Sequence, residues 1–224
     1  MQQRRRVQEH SIARAQAVAR REVVEEPHRE ARDQDAVRLV EEIRSDGVRP
    51  PLVHASNSAA LFSTLSEHFS MVRVGLGLFG LNPGNLPVGE SPVKPVMSLR
   101  TQVVFLKDLP ASSPVGYNRT HVTKRATRIA IVPFGYSDGY PYALSNRAHV
   151  LVRGERAPVV GAVSMDYTTI DVTDVRDVQV GEEVTVIGAS GKRRITVEDL
   201  ARVIGTIPYE ITARLGRRVA RVAV

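Results

Sequence analysis

Between Asn82 and Pro95 lie four prolines and two glycines, and the chain reads differently on either side of them. Proline removes a backbone donor and fixes φ, so a stretch this rich in it reads as a connector between two folding patterns. Before it, Ala36, Val37, Leu39, Val40 and Ile43 recur at helical spacing, and Gly47 supplies the usual stop. Pro50-Pro51 leads into a short strand over 52–55. A helix from residue 59 to about 69 and an apolar strand over 71–80 follow. Helix, strand, helix, strand is the rhythm of a parallel α/β barrel or sheet. After the connector the pattern is short strands: 96–106, 115–117 with a turn at Asn118-Arg119, 127–132, 149–153, a hairpin turn at Gly154-Glu155, 157–163, 168–172, 183–187 and Ile195. That spacing predicts an antiparallel barrel or sandwich. One helix over 197 to about 204 interrupts it, and an Arg-rich strand over 217–224 closes the chain. The expected domains are therefore 35–92 and 93–224.

Residues 1–34 fit neither pattern. They are rich in arginine, glutamate and alanine, with a thin apolar stripe broken by Pro27, and read as a weakly helical or disordered arm. The formal charge is +7, and only four of the 31 basic residues are lysines. Acidic residues are interleaved with the arginines, so the charge reads as solvated surface and not as a nucleic-acid interface. No cysteine is present, which excludes disulfides, thiolate metal sites and cysteine nucleophiles. No metal is called for. No run has the length of a signal peptide or a membrane span, and the expected location is the cytoplasm.

Three places hold residues with chemical potential. The expected strand 127–132 runs into Pro133-Phe134-Gly135-Tyr136-Ser137-Asp138-Gly139, a turn that presents Tyr136 at its tip. A phenol works as a proton carrier near neutral pH only if its surroundings stabilise the phenolate; the plain alternative is an aromatic plug in a turn. Ser56-Asn57-Ser58 reads either as an N-cap or as a phosphate cup, since the same geometry aims N–H groups and hydroxyls at one point. Arg73 stands in an apolar run and needs an acceptor, while Gly75 and Gly77 allow close approach of a ligand or another backbone.

Five segments carry a resemblance when taken together: 54–59 (His-Ala-Ser-Asn-Ser-Ala), 72–80 (Val-Arg-Val-Gly-Leu-Gly-Leu-Phe-Gly), 133–139, 161–166 (Gly-Ala-Val-Ser-Met-Asp) and 208–211 (Pro-Tyr-Glu-Ile). In this order, from about Asp35 onward, they resemble the C-terminal part of the bacterial alanine racemases, which depend on pyridoxal 5'-phosphate. The resemblance implies the last βα units of a (β/α)8 barrel followed by an all-β, mostly antiparallel domain. It implies interconversion of L- and D-alanine, with D-alanine serving cell-wall peptidoglycan, in a homodimer whose Tyr136 reaches the neighbouring subunit's site. By the same resemblance Asn57, Ser58, Gly75, Leu76 and Tyr209 hold the cofactor phosphate, and Arg73 pairs with the pyridine nitrogen. Tyr136 deprotonates the L-enantiomer, while Met165 and Asp166 form the loop against the substrate carboxylate. Met165 as core filler, Tyr209 as a buried aromatic and Asp138 and Asp166 as turn formers are the alternatives for each residue taken singly.

One expected part is missing. The family's second base is the lysine that carries the cofactor, and Lys94, Lys107, Lys124 and Lys192 stand at none of the matching places. A whole barrel takes about 250 residues, more than this chain can give it. The expectation is a truncated racemase polypeptide with little activity alone, whose first 34 or so residues read as out-of-frame sequence. The other reading is a non-catalytic β module that binds a partner or a phosphate ligand. Residues 35–92, short of their barrel neighbours, are expected to be poorly ordered in isolation.

Overall fold

The computed structural model describes residues 29–62, 68–83 and 92–223. Most of the arm expected over 1–34 lies outside them. The chain divides into two compact units, Met1–Leu78 with Asn82–Val93, and Phe79–Leu81 with Lys94–Val224.

In the first unit, helix α1 spans Arg29–Ser45. It begins before the periodic segment read from the sequence, and Gly47 closes it in the left-handed conformation with φ 77°. The strand expected over 52–55 does not form a ladder: one parallel bridge, Asn57 to Arg73, joins the two halves of the unit. Asn57 caps the short helix α2, Ser58–Leu61, by accepting from the Ala60 N–H. The strand expected over 71–80 is corrected as well. Arg73 N–H donates to Ser56 O at 2.8 Å, as a strand residue should. Beyond it the Gly75 and Gly77 N–H groups both turn to Ser58 Oγ, at 3.0 and 3.2 Å. With its ladder donors taken by a side chain, the backbone coils into a 3-10 turn, Leu76–Phe79.

The second unit is the β domain. Strands β1 Leu99–Gln102 and β2 Phe105–Leu109 replace the single strand expected over 96–106. The chain changes sheet between them: Val103 N–H donates to Glu182 O, and Val104 N–H to Ile131 O. β3 Pro114–Val115 and β4 His121–Val122 form a small hairpin, and β5 is Thr127–Val132 as the sequence predicts. β6 His149–Val152 and β7 Glu155–Pro158 flank the Arg153-Gly154 turn. β8 Thr168–Asp171, β9 Glu183–Ser190 and β10 Arg193–Ile195 follow. The larger sheet has the order β1-β9-β6-β7, with β10 paired to β9; β2-β5-β8 forms a three-stranded sheet, and every pair is antiparallel. A bridge from Val159 to Ile170 links the end of β7 to β8. Leu151, Val152, Ala130, Ile170, Val172 and Val184 show no exposed surface and form much of the core. β-Branched runs with buried apolar side chains, Ile129, Ala130 and Val132 on β5 and Ile170 on β8, explain why these strands form where they do.

Helix α3, Val197–Ile204, carries a reciprocal cap between Thr196 and Asp199 and ends at Gly205 with φ 72°. A second helix that the sequence did not suggest, α4, spans Pro208–Ala213 with proline in its first turn. The closing strand expected over 217–224 is absent from the described residues. Arg221 donates to the carbonyls of Leu215, Gly216 and Val219, folding the tail into a turn instead. No helix among the described residues is long and apolar enough to cross a membrane.

Candidate functional site

Beyond β5 the chain reaches Gly135, whose N–H donates to Asp138 Oδ2 at 3.0 Å and whose carbonyl accepts from the Asp138 N–H. This closes the 3-10 turn Tyr136–Asp138 and lifts Tyr136 outward, where the residue is 46% exposed. The turn is fixed from below by the loop that precedes β8. Tyr136 N–H donates to Ser164 O and Ser137 N–H to Met165 O, both at 3.0 Å. The Ser137 hydroxyl adds a bond to Met165 O at 2.6 Å. Gly135 has φ −133°, which any residue adopts, so its smallness serves space alone: a Cβ there stands 2.3 Å from Met165 O.

The C-terminal segment closes over the other side. A Cβ on Gly139 falls 2.5 Å from the carbonyl oxygen of Arg214, the residue that caps α4, and Gly216 N–H donates to Asp138 O at 2.9 Å. Arg218 then bridges the two loops. Its Nε donates to Asp138 Oδ1 at 3.1 Å and its Nη2 to Asp166 Oδ1 at 2.8 Å, with Ser137 Oγ also in reach. The hydrogen bond from this guanidinium, helped by its charge and the Ser137 hydroxyl, holds the Asp166 carboxyl below the usual carboxylate range. In return, hydrogen bonding to Asp166 and the charge of Asp138 raise Arg218.

Of the sequence-predicted residues, Tyr136, Met165 and Asp166 therefore come together in the second unit. Tyr209 is in the same unit, in the first turn of α4, and is 38% exposed. Met165 is 55% exposed and so is not core filler. Tyr140, four residues past Tyr136, is the aromatic plug of this region: it packs on Phe134 with ring centroids 5.5 Å apart. Its hydroxyl is buried without a hydrogen-bond partner among the described residues, and burial pushes its pKa up, which keeps it neutral.

In the first unit, Asn57, Ser58, Gly75 and Leu76 come together around the Ser58 hydroxyl. Ser58 is 2% exposed and accepts two backbone N–H groups, while its own O–H has no acceptor among the described residues. The two glycine amides are spent on this oxygen, so the donor left for an oxyanion is the hydroxyl proton, which the amides polarise. A Cβ on Gly75 meets nothing within 4 Å, so space is open there. Arg73 differs from expectation: the residue is exposed, and its guanidinium has no hydrogen bond or ion pair among the described residues. Among the described residues it is an exposed cation and not a buried one in search of a partner. All four lysines are exposed as well.

Sequence reading missed Arg218. The signal was an arginine-rich tail, which looks like solvated charge until Asp138 and Asp166 are found opposite one of its members.

Comparison with known proteins gives two family matches: the alanine racemase C-terminal domain over residues 96–223 and the alanine racemase N-terminal domain over residues 12–83. The second begins inside the Arg-rich segment that the motifs left unmatched. The alanine racemase of Halothermothrix orenii is 44% identical over 171 residues, covering 76% of this chain and 45% of that protein. The structure of the Streptomyces coelicolor alanine racemase superposes with a TM-score of 0.82 at 32% identity, covering 89% of this chain and 52% of that one. The Bartonella henselae alanine racemase, solved with covalently bound pyridoxal phosphate, superposes with a TM-score of 0.73 at 30% identity over 87% of this chain and 52% of that one. The chain spans about half the length of the relatives it matches.

Proposed function

The chain belongs to the alanine racemase family, and from that membership we propose that it supplies one of the two proton carriers and part of the cofactor cradle for interconverting L- and D-alanine. The observation that carries this reading is the junction of two motifs 28 residues apart, where the Ser137 hydroxyl bonds Met165 O and fixes the Tyr136 turn against the Met165-Asp166 loop. A proton carrier beside a loop that receives the substrate carboxylate is the geometry racemisation needs.

Racemisation removes the α proton from one face and returns a proton to the other, so it needs a group on each face. Tyr136 fills one of these roles: as phenolate it takes the α proton of L-alanine, and as phenol it returns one in the reverse direction. Backbone N–H groups of the Met165-Asp166 loop orient the substrate carboxylate. Ser58, Gly75 and Leu76, with Asn57 shaping the turn, would hold the phosphate of pyridoxal 5'-phosphate, and Arg73 would pair with its pyridine nitrogen. When bound, that cofactor withdraws electron density from the α carbon and makes its proton removable. The related racemase with pyridoxal phosphate bound covalently supports the same cofactor here.

The second carrier is not in this chain, because no lysine stands at the family's position. This chain alone therefore has little racemase activity. We place it in a cytoplasmic homodimer that serves peptidoglycan synthesis, with Tyr136 directed to the partner's site. Val104, Phe105, Tyr117 and Tyr167 leave an open apolar groove of about 550 Å³ that includes Ser164, and it suits such a partner.

The test is complementation. This chain and an N-terminal alanine racemase half that carries the cofactor lysine are mixed with pyridoxal phosphate, and D-alanine formed from L-alanine is measured. Activity is expected from the mixture and not from this chain alone, with Tyr136→Phe abolishing it. Equal activity with Tyr136→Phe counts against the assignment of the base. Specific borohydride trapping of the cofactor on one of the four lysines counts against the missing-lysine reading.

A further inference from the structure

We propose that Arg218 is the positioning residue for Tyr136. The role rests on reading Tyr136 as the base, but the clamp itself is a property of this chain that can be tested without substrate. A ring that is 46% exposed gains little placement from packing, and a three-residue 3-10 turn has almost no stability of its own. The placement of Tyr136 must come from what grips the turn beneath it.

Three grips are present. The loop before β8 accepts the N–H groups of Tyr136 and Ser137. Asp138, 7% exposed, ties back to Gly135 through one carboxylate oxygen. Arg218 takes the other oxygen of Asp138 with one edge of its fork and Asp166 with the far nitrogen. It is the only group among the described residues that holds the Tyr136 turn and the Met165-Asp166 loop by side-chain charge at the same time. Nη2 lies within 3.0 Å of Asp138 Oδ1 and 2.8 Å of Asp166 Oδ1, and Nε adds a bond to Asp138 in the same plane, a pair of donors that a single ammonium does not offer.

The tail is shaped to deliver this fork. Arg221 binds three carbonyls of residues 215–219 and closes them into a turn. Gly216 passes close under the Tyr136 turn, where a Cβ stands 2.8 Å from Ser137 O. Misplacing a catalytic group by about 1 Å can cost about a hundredfold in rate. The C-terminal tail, remote in sequence from the Tyr136 turn and the Met165-Asp166 loop, thus sets where the phenol stands.

The experiment uses the 224-residue chain without amino acid or cofactor, labelled with 3-fluorotyrosine, the Tyr136 signal being assigned by its loss in Tyr136→Phe. We expect one narrow Tyr136 fluorine line in the parent, a broadened or split line in Arg218→Ala, and an intermediate one in Arg218→Lys. Amide exchange at Tyr136 and Ser137 should rise about tenfold or more in Arg218→Ala, as loss of charge-assisted hydrogen bonds implies, while the β2–β5 ladder stays protected. If Arg218→Ala does not fold, Asp166→Asn removes one arm only and should give the same changes in smaller measure. An unchanged Tyr136 line and unchanged exchange overturn the proposal. So does a uniform change at every tyrosine and in the β2–β5 ladder, which marks general support of the fold. Failure of the racemase reading would leave these signals as they are.

Discussion

Arg218 meets two carboxylates and a hydroxyl at once, and part of that arrangement is readable as pH dependence. Asp166 is held below its ordinary value of 3.8 by the Arg218 hydrogen bond, with the charges of Arg218 and the Ser137 hydroxyl around it and Asp138 on the same guanidinium. A carboxylate whose folded pKa lies below its unfolded one stabilises the fold above the unfolded value, and this contribution is lost as pH falls through the folded value. Acidification from about pH 5 to about pH 2 should therefore destabilise the parent more than Asp166→Asn, read as the urea midpoint at each pH. Parallel curves would show that the ion pair does not report on folding. At this scale the sequence was partly legible. Tyr136 and Ser58 could be singled out by residue type and setting, and Met165 by the resemblance of its segment. Arg218 could not, since its partners lie 80 and 52 residues back and nothing local marks it.

Elements were legible where one face is buried and illegible where side chains take over the backbone donors. β5 is a β-branched run with Thr127, Ile129, Ala130 and Val132 buried, and it forms where its residues predict. The apolar run 71–80 has the composition of a strand, but Ser58 Oγ captures the Gly75 and Gly77 amides and the run coils. The described part of the tail, 217–223, fails as a strand for a related reason, because the Arg221 guanidinium takes the Val219 carbonyl there and those of Leu215 and Gly216 just before it. Helix α3 was legible at both ends, from Thr196 with Asp199 three residues on to Gly205. Replacing Thr196 by Ala removes the side-chain acceptor for the Asp199 N–H, and should cost about 1 kcal/mol. Equilibrium denaturation checks this; a change of less than about 0.3 kcal/mol would mean that the helix holds its end without the cap.

The whole molecule is two units of unequal construction. The second has ladders in every sheet and a continuous buried core. The described part of the first has one helix of 17 residues, one of four, and a single parallel bridge. Limited proteolysis should therefore cut within 35–92 well before it cuts within 96–223, leaving the β domain as the resistant product. Equal resistance of both would show that the first unit draws stability from contacts not visible in its own bonding. The chain passes into the second unit for good at Lys94, near the end of the Pro- and Gly-rich stretch. The early start of the family match, at residue 12, was not legible in the sequence, because that segment carries helix-forming residues without a motif. The central claim is that Tyr136 carries the proton on the L-face of alanine. It is tested most directly by following α-hydrogen exchange into L- and D-alanine separately in D2O, with this chain joined to the lysine-bearing half and pyridoxal phosphate. The account predicts that Tyr136→Phe abolishes exchange from L-alanine and leaves exchange from D-alanine measurable. Loss of both alike, or of neither, would contradict it.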